Sequence, residues 1–107
     1  MVVNQFDICL VNLDRVVSME ISQTRFCLIL SPREMIDSLS TILIAPMSTS
    51  VQNGPSRLEV SVEGKKGYIV LDQIRTIQNR RIIRRLGHIN DESINQLISI
   101  LAEIFIL

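Results

Sequence analysis

At 107 residues, with 47% apolar side chains and a mean hydropathy of +0.31, the chain has the length of one domain (residues 1–107) and material for one core, which excludes a disordered segment. Eleven Lys and Arg offset eleven Asp and Glu, which excludes the globally basic profile of many nucleic-acid binders and confines any RNA site to a local patch. No apolar run is long enough to span a membrane and no charged start leads to a small-residue cleavage site, so the expected compartment is the cytoplasm.

Residues 7–13 read as a first strand and 25–30 as a second, closed by Ser31-Pro32. Cys9 and Cys27 lie inside these apolar runs, far from any Cys-x-x-Cys spacing, and read as buried thiols. Between the strands, residues 14–24 form a polar loop longer than a hairpin needs, the kind of segment that carries function on a small scaffold. Residues 41–46 are a third strand whose end is set by Pro46, since proline cannot donate to a ladder; hydroxyls follow at Ser48 and Thr49. Residues 51–55 read as a loop, 58–62 alternate as a strand, and 63–67 form a turn into another strand at Tyr68. That strand runs directly into an acid, an amide and a base: Asp72, Gln73 and Arg75.

From residue 79 to 85 the arginines 80, 81, 84 and 85 are spaced for a helical turn with a basic outer face, and 86–89 then read as a short strand. Asn90 is placed to cap a closing helix, with Asp91 and Glu92 in its first turn and Ile94, Leu97, Ile98, Leu101 and Phe105 as its apolar face. Ile100, Ile104, Ile106 and Leu107 widen that face, so the helix is expected to pack on its own sheet and on a second subunit. Roughly five to seven short strands and one long helix make an α+β, mostly β fold, a small partly open barrel.

One His, scattered carboxylates and two isolated Cys give no set of side chains with ligand spacing, so neither a metal nor another cofactor is expected, and His88 reads as a strand-end residue. A two-histidine ribonuclease is excluded by count, and no nucleophile elbow is present. What remains is Arg25, the hydroxyls of Ser48 and Thr49, and the carboxylates of Glu20 and Asp72. RNA carries its own nucleophile, the 2′-hydroxyl. A metal-free enzyme therefore needs only to align that group and stabilise the charge that grows on the phosphoryl oxygens, which a planar, always-charged guanidinium does well. Two other readings stay open: Arg25 as an ion pair with Glu20 that closes the loop, and the arginines of 75–85 as a solvated face.

Asp7-Ile8, Leu13-Asp14, Glu20, Arg25, Pro46-Met47-Ser48-Thr49, Leu71-Asp72-Gln73-Ile74-Arg75-Thr76-Ile77 and Leu86-Gly87 occur in the order found in the MazF/PemK/Kid family of toxin endoribonucleases, which the chain resembles almost from end to end. The resemblance implies an SH3-like barrel with a C-terminal helix, the MazF/CcdB-type toxin fold. It places the family's catalytic arginine and threonine on Arg25 and Ser48, with Thr49 and Glu20 as supporting candidates, and RNA over Asn53, Asp72, Gln73, Arg75, Arg80 and Arg81. It further implies a homodimer that cuts single-stranded mRNA without metal, leaving a 2′,3′-cyclic phosphate and a 5′-hydroxyl, and a cognate antitoxin whose acidic, disordered tail blocks the site. The chain departs from the family at Arg15, at Ser18-Met19 and at Phe26, where relatives carry proline, Gly-Ser and proline. Two rivals remain: a CcdB-type module that binds gyrase without hydrolysis, and a family member that has lost catalysis.

Overall fold

Strict alternation of side chains in three central strands gives this molecule two apolar faces to cover. The computed structural model describes residues 2–13 and 23–106; most of the expected first loop, with Asp14, Arg15, Ser18, Met19 and Glu20, lies outside the described residues. The three strands are β1 (Asp7–Asn12), β2 (Thr24–Ile29) and β3 (Thr41–Ser48). Ile8, Leu28, Ala45 and Met47 turn to one side, where Leu58, Val60, Ile69 and Leu97 meet them. Cys9, Val11, Cys27, Ile29, Ile42 and Ile44 turn to the other, joined by Val3, Leu13 and Ile77.

The remaining strands are β4 (Arg57–Val62), β5 (Lys65–Val70), β6 (Arg75–Gln78) and β7 (Ile82–His88). All pairings are antiparallel, in the order β4-β5-β3-β2-β1-β7, and β6 pairs with the free stretch of β3. The sheet curls into a half-barrel that β4 and β7 leave open, so the expected mostly β, partly open barrel is the architecture observed. A short helix α1 (Arg33–Ser38) and a C-terminal helix α2 (Asp91–Phe105) complete it, and α2 packs on β4. Asn90 caps α2 as expected, its side-chain oxygen accepting from the Ser93 amide at 2.8 Å. Among the described residues no helix is long and apolar enough to cross a membrane.

Several elements differ from the sequence reading. Residues 79–85 are not a helical turn. Only Asn79–Arg81 forms a single 3-10 turn, and Ile82–His88 is one continuous strand, because β1 offers it a full edge to pair with. The turn expected at 63–67 is two residues, Glu63 and Gly64, both at positive φ (51° and 79°), as tight hairpins require. Pro46 does not end β3. It falls between the stretch of β3 paired to β6 and the two residues paired to β5, where the ladder on that edge asks for no donor. Helix α1 gave no periodic signal, being one and a half turns with no buried residue. On α2, Leu97 is fully buried and Ile94, Ile100, Leu101 and Ile104 pack beside it, whereas Ile98 and Phe105 are exposed.

The two cysteines are directly opposed across β1 and β2, fully buried and not joined by a disulfide. Burial pushes the Cys9 thiol up to about 11 and the Cys27 thiol up to about 12, so neither is a nucleophile at neutral pH.

Candidate functional site

Arg25 enters the site from the start of β2, and β3 brings the hydroxyls to it. Cys27 pairs with Pro46, and continuing that register by two residues sets Arg25 opposite Ser48. The Arg25 guanidinium donates through Nη2 to the Met47 carbonyl at 2.8 Å, which fixes the side chain along the strand end. Arg25, Thr24, Phe26, Leu10, Met47, Thr49 and Lys65 together line a pocket of about 290 Å³. Ser48, half-buried, is turned to its own chain: its Oγ lies 3.1 Å from the Ser50 hydroxyl and accepts from the Ser50 amide at 3.2 Å, which shapes the bend that carries Thr49 outward.

Strand β5 makes this arrangement possible. Met47 and Ser48 pair with Ile69 and Tyr68, and a Cβ at Gly67 would stand 2.7 Å from the Met47 methyl and 2.8 Å from the Ser48 carbonyl oxygen. Only a residue without a side chain lets the two backbones approach this closely.

The other expected site residues are spread around this pocket. Asn53 is exposed on the loop before β4, a loop held down by Arg57, whose Nη1 donates to the Gln52 carbonyl at 3.4 Å. Asp72 sits in a 3-10 turn, Leu71–Gln73, and accepts from the Ser56 hydroxyl at 2.9 Å, tying that turn to the same loop; Gln73 is exposed beside it. Asp72 is not among the residues that line the Arg25 pocket. Arg75 is exposed on β6, and its charge, with that of Arg25, opposes the burial that raises the Cys27 thiol.

Arg80 donates to Gln78 at 2.8 Å, Arg81 to the Asn12 carbonyl at 3.4 Å, and the two line a second depression with Asn12 and Ile83. Since Asn12 pairs with Thr24, that depression adjoins the strand end from which Arg25 rises. The rest of the basic segment is committed elsewhere. Arg84 pairs with Glu63 at 3.3 Å, and Arg85 with the fully buried Asp7 at 2.9 Å, beside a 2.9 Å contact from His88 Nδ1 to the same carboxylate. Burial would raise the Asp7 carboxyl, but hydrogen bonds from Arg85, His88 and the Asn4 amide, with the Arg85 charge, hold it below its ordinary value. Glu20 lies outside the described residues. Lys65, Thr24 and Phe26 were not read as site residues from sequence. Lys65 lies 40 residues after Arg25 in the chain, and nothing in local spacing signals that β5 begins at the Arg25 pocket.

Residues 4–105 match the family model for the PemK-like, MazF-like toxin of type II toxin-antitoxin systems. The chain belongs to that family. Its fold is similar to that of the Mycobacterium tuberculosis toxin MazF-mt6, at 20% identity with a TM-score of 0.80, covering 94% of this chain and 97% of that one. It is similar also to MazE-MazF (Form-II) from Deinococcus radiodurans, at 17% identity and a TM-score of 0.82, covering 97% and 96%. A third similar structure is an endoribonuclease in complex with its cognate antitoxin from Mycobacterial species, at 16% identity and a TM-score of 0.80, covering 95% and 93%. At these identities the likeness is one of fold. No curated protein matches the chain. In this MazF-like chain Arg25 and Thr49 line one pocket, and Arg80 and Arg81 line the depression beside it.

Proposed function

We propose that the protein is an endoribonuclease toxin that acts as a single domain on single-stranded mRNA in the cytoplasm, without a metal. The observation that carries this is Arg25, anchored to the Met47 carbonyl and sharing one pocket with Thr49. In the reaction the 2′-oxygen of one nucleotide attacks its own 3′-phosphorus. The O2′–P bond forms as the P–O5′ bond breaks, the 2′-hydroxyl gives up its proton, and the departing 5′-oxygen takes one. The products are a 2′,3′-cyclic phosphate and a 5′-hydroxyl, and no water is consumed. Arg25 spreads its donors over the non-bridging oxygens where charge accumulates, and the Thr49 hydroxyl, presented by the bend that Ser48 holds, relays the proton. RNA beyond the cut lies over Asn53, Gln73, Arg75, Arg80 and Arg81, with phosphate contacts outweighing base stacking in so aromatic-poor a chain.

The exposed apolar stripe of Ile98, Phe105 and Ile106 supports a homodimer, and solved relatives with antitoxins support a cognate antitoxin here. Its acidic, disordered tail would lie across Arg25 and the arginine rim and compete with RNA for the same charges.

The test is to incubate purified protein with single-stranded RNA in EDTA and sequence the ends. Cyclic phosphate on one side and 5′-hydroxyl on the other, abolished by a 2′-deoxy nucleotide at the cut, is the expected result. Intact RNA from a folded, toxic protein would replace this reading with a binding toxin of the gyrase-poison kind.

A further inference from the structure

The Arg25 pocket has a side that the transfer chemistry leaves unused. Leu10 and Phe26 are opposed across β1 and β2, and with Met47 they give the pocket an apolar wall. Lys65, at the start of β5, stands at its rim. The neighbouring Lys66 is held by Glu59 at 2.9 Å, whereas the Lys65 ammonium, exposed, has no partner among the described residues. Of the four aromatic residues in the chain, Phe6, Phe26, Tyr68 and Phe105, Phe26 alone lines this pocket, and it is half-buried against the core beneath it.

An apolar wall with an aromatic ring, bordered by two cations and two threonines, has the chemistry of a nucleotide. The ring and aliphatic carbons suit the face of a base, and the cations suit the phosphate attached to it. We infer that this pocket is a nucleotide subsite, in which Phe26 is the platform for one base next to the cut and Lys65 is the second cation on the phosphate that Arg25 grips. The inference rests on the ribonuclease reading above. A fixed aromatic platform is already packed from below, so stacking a base on it orders little that is not ordered already. Lys65 sits across the pocket from β2, on the β5 strand that Gly67 lets approach β3, so the two cations flank a phosphate from different strands.

The experiment measures binding separately from cleavage. A fully 2′-O-methylated single strand containing the cut motif, labelled with a fluorophore, is titrated against parent protein and four variants over a range of salt, and the unmodified strand is assayed for cutting. Phe26→Leu, which keeps an apolar side chain on the core, is expected to weaken binding about tenfold or more and to erase a base preference at one position beside the cut, while Phe26→Trp retains both. Lys65→Ala is expected to weaken binding and to lower the slope of log affinity against log salt by about one, and Lys65→Arg to restore it. A parent that neither binds the methylated strand nor cuts the unmodified one overturns the ribonuclease reading and the subsite with it. A parent that binds and cuts, with Phe26→Leu and Lys65→Ala indistinguishable from it in affinity, slope and cut pattern, overturns the subsite alone.

Discussion

The Arg25 guanidinium is held by the Met47 carbonyl, at 2.8 Å, one residue before the first of the hydroxyls at Ser48 and Thr49. A neutral main-chain acceptor fixes its direction without cancelling its charge, and its other N–H groups remain to meet an anion.

Arg25→Ala is expected to reduce RNA cleavage on the order of a hundredfold or more, with a melting temperature within a few degrees of the parent. The hydroxyls divide by geometry: Thr49→Ala should approach that loss, and Ser48→Ala, which loosens the bend through Ser50, should cost less, while Ser48→Thr retains activity. Single-turnover rates on one oligonucleotide check all four, and a Thr49→Ala enzyme faster than Ser48→Ala would reverse the assignment of the two hydroxyls.

Gly67→Ala places a methyl against the Met47 side chain and the Ser48 carbonyl, so β5 has to back away from β3 at the site itself. The expected cost is about 1–3 kcal/mol of stability together with loss of cleavage. Adding Met47→Ala should recover little, because the Ser48 carbonyl, a backbone atom, still obstructs. Urea denaturation of the single and double variants measures this; full recovery in the double variant would show that only the flexible methionine was in the way.

Asp7 makes the fold acid-sensitive. Its carboxyl is held below the ordinary value of 3.8 in the folded chain, so its contribution is complete at neutral pH, begins to fade as pH falls towards that value, and is gone once pH has passed below the folded one. The parent should therefore lose melting temperature between about pH 5 and pH 2. Asp7→Asn, which leaves Arg85 and His88 without a charged acceptor, should melt on the order of 5 °C lower at pH 7 and show a flatter acid limb. Thermal melts at pH 7, 5 and 3 decide it, and parallel curves for the two proteins would remove Asp7 as the source.

Charge reversal at Arg80 and Arg81 is expected to weaken binding of an uncleavable RNA and reduce its salt slope by about two, while leaving the single-turnover rate at saturating RNA near the parental value. The two line a depression outside the Arg25 pocket, so under the proposed function they are expected to affect binding rather than the transfer step. Anisotropy titrations across salt read the slope, and a collapse of the saturated rate would place them at the reacting phosphate instead.

What the sequence made legible was whatever local pattern decides. Apolar runs placed β1 and β2, period-two alternation placed β4, and Asn90 with the acids after it placed the start of α2. The arginines after Gln78 were misread because a spacing of four satisfies a helix equally well. Only the free edge of β1, far away in sequence, makes Ile82–His88 a strand. Arg25 and the hydroxyl tract were readable as residue types, since few others in the chain could do phosphate chemistry. Their company was not: Lys65 reaches the pocket through β5, Asp72 is drawn away by Ser56, and both outcomes depend on pairings that no window of sequence contains.

The carboxylate buried at Asp7 has its side-chain partners, Arg85 and His88, 78 and 81 residues further along the chain. A ribosome making this protein releases β1, β2 and β3, with Arg25, Ser48 and Thr49, long before the strand that completes the edge of β1. Until Arg85 and His88 emerge, that edge and its acid lack these partners, so the closure of β7 on β1 is a long-range event that waits for most of the chain to be made.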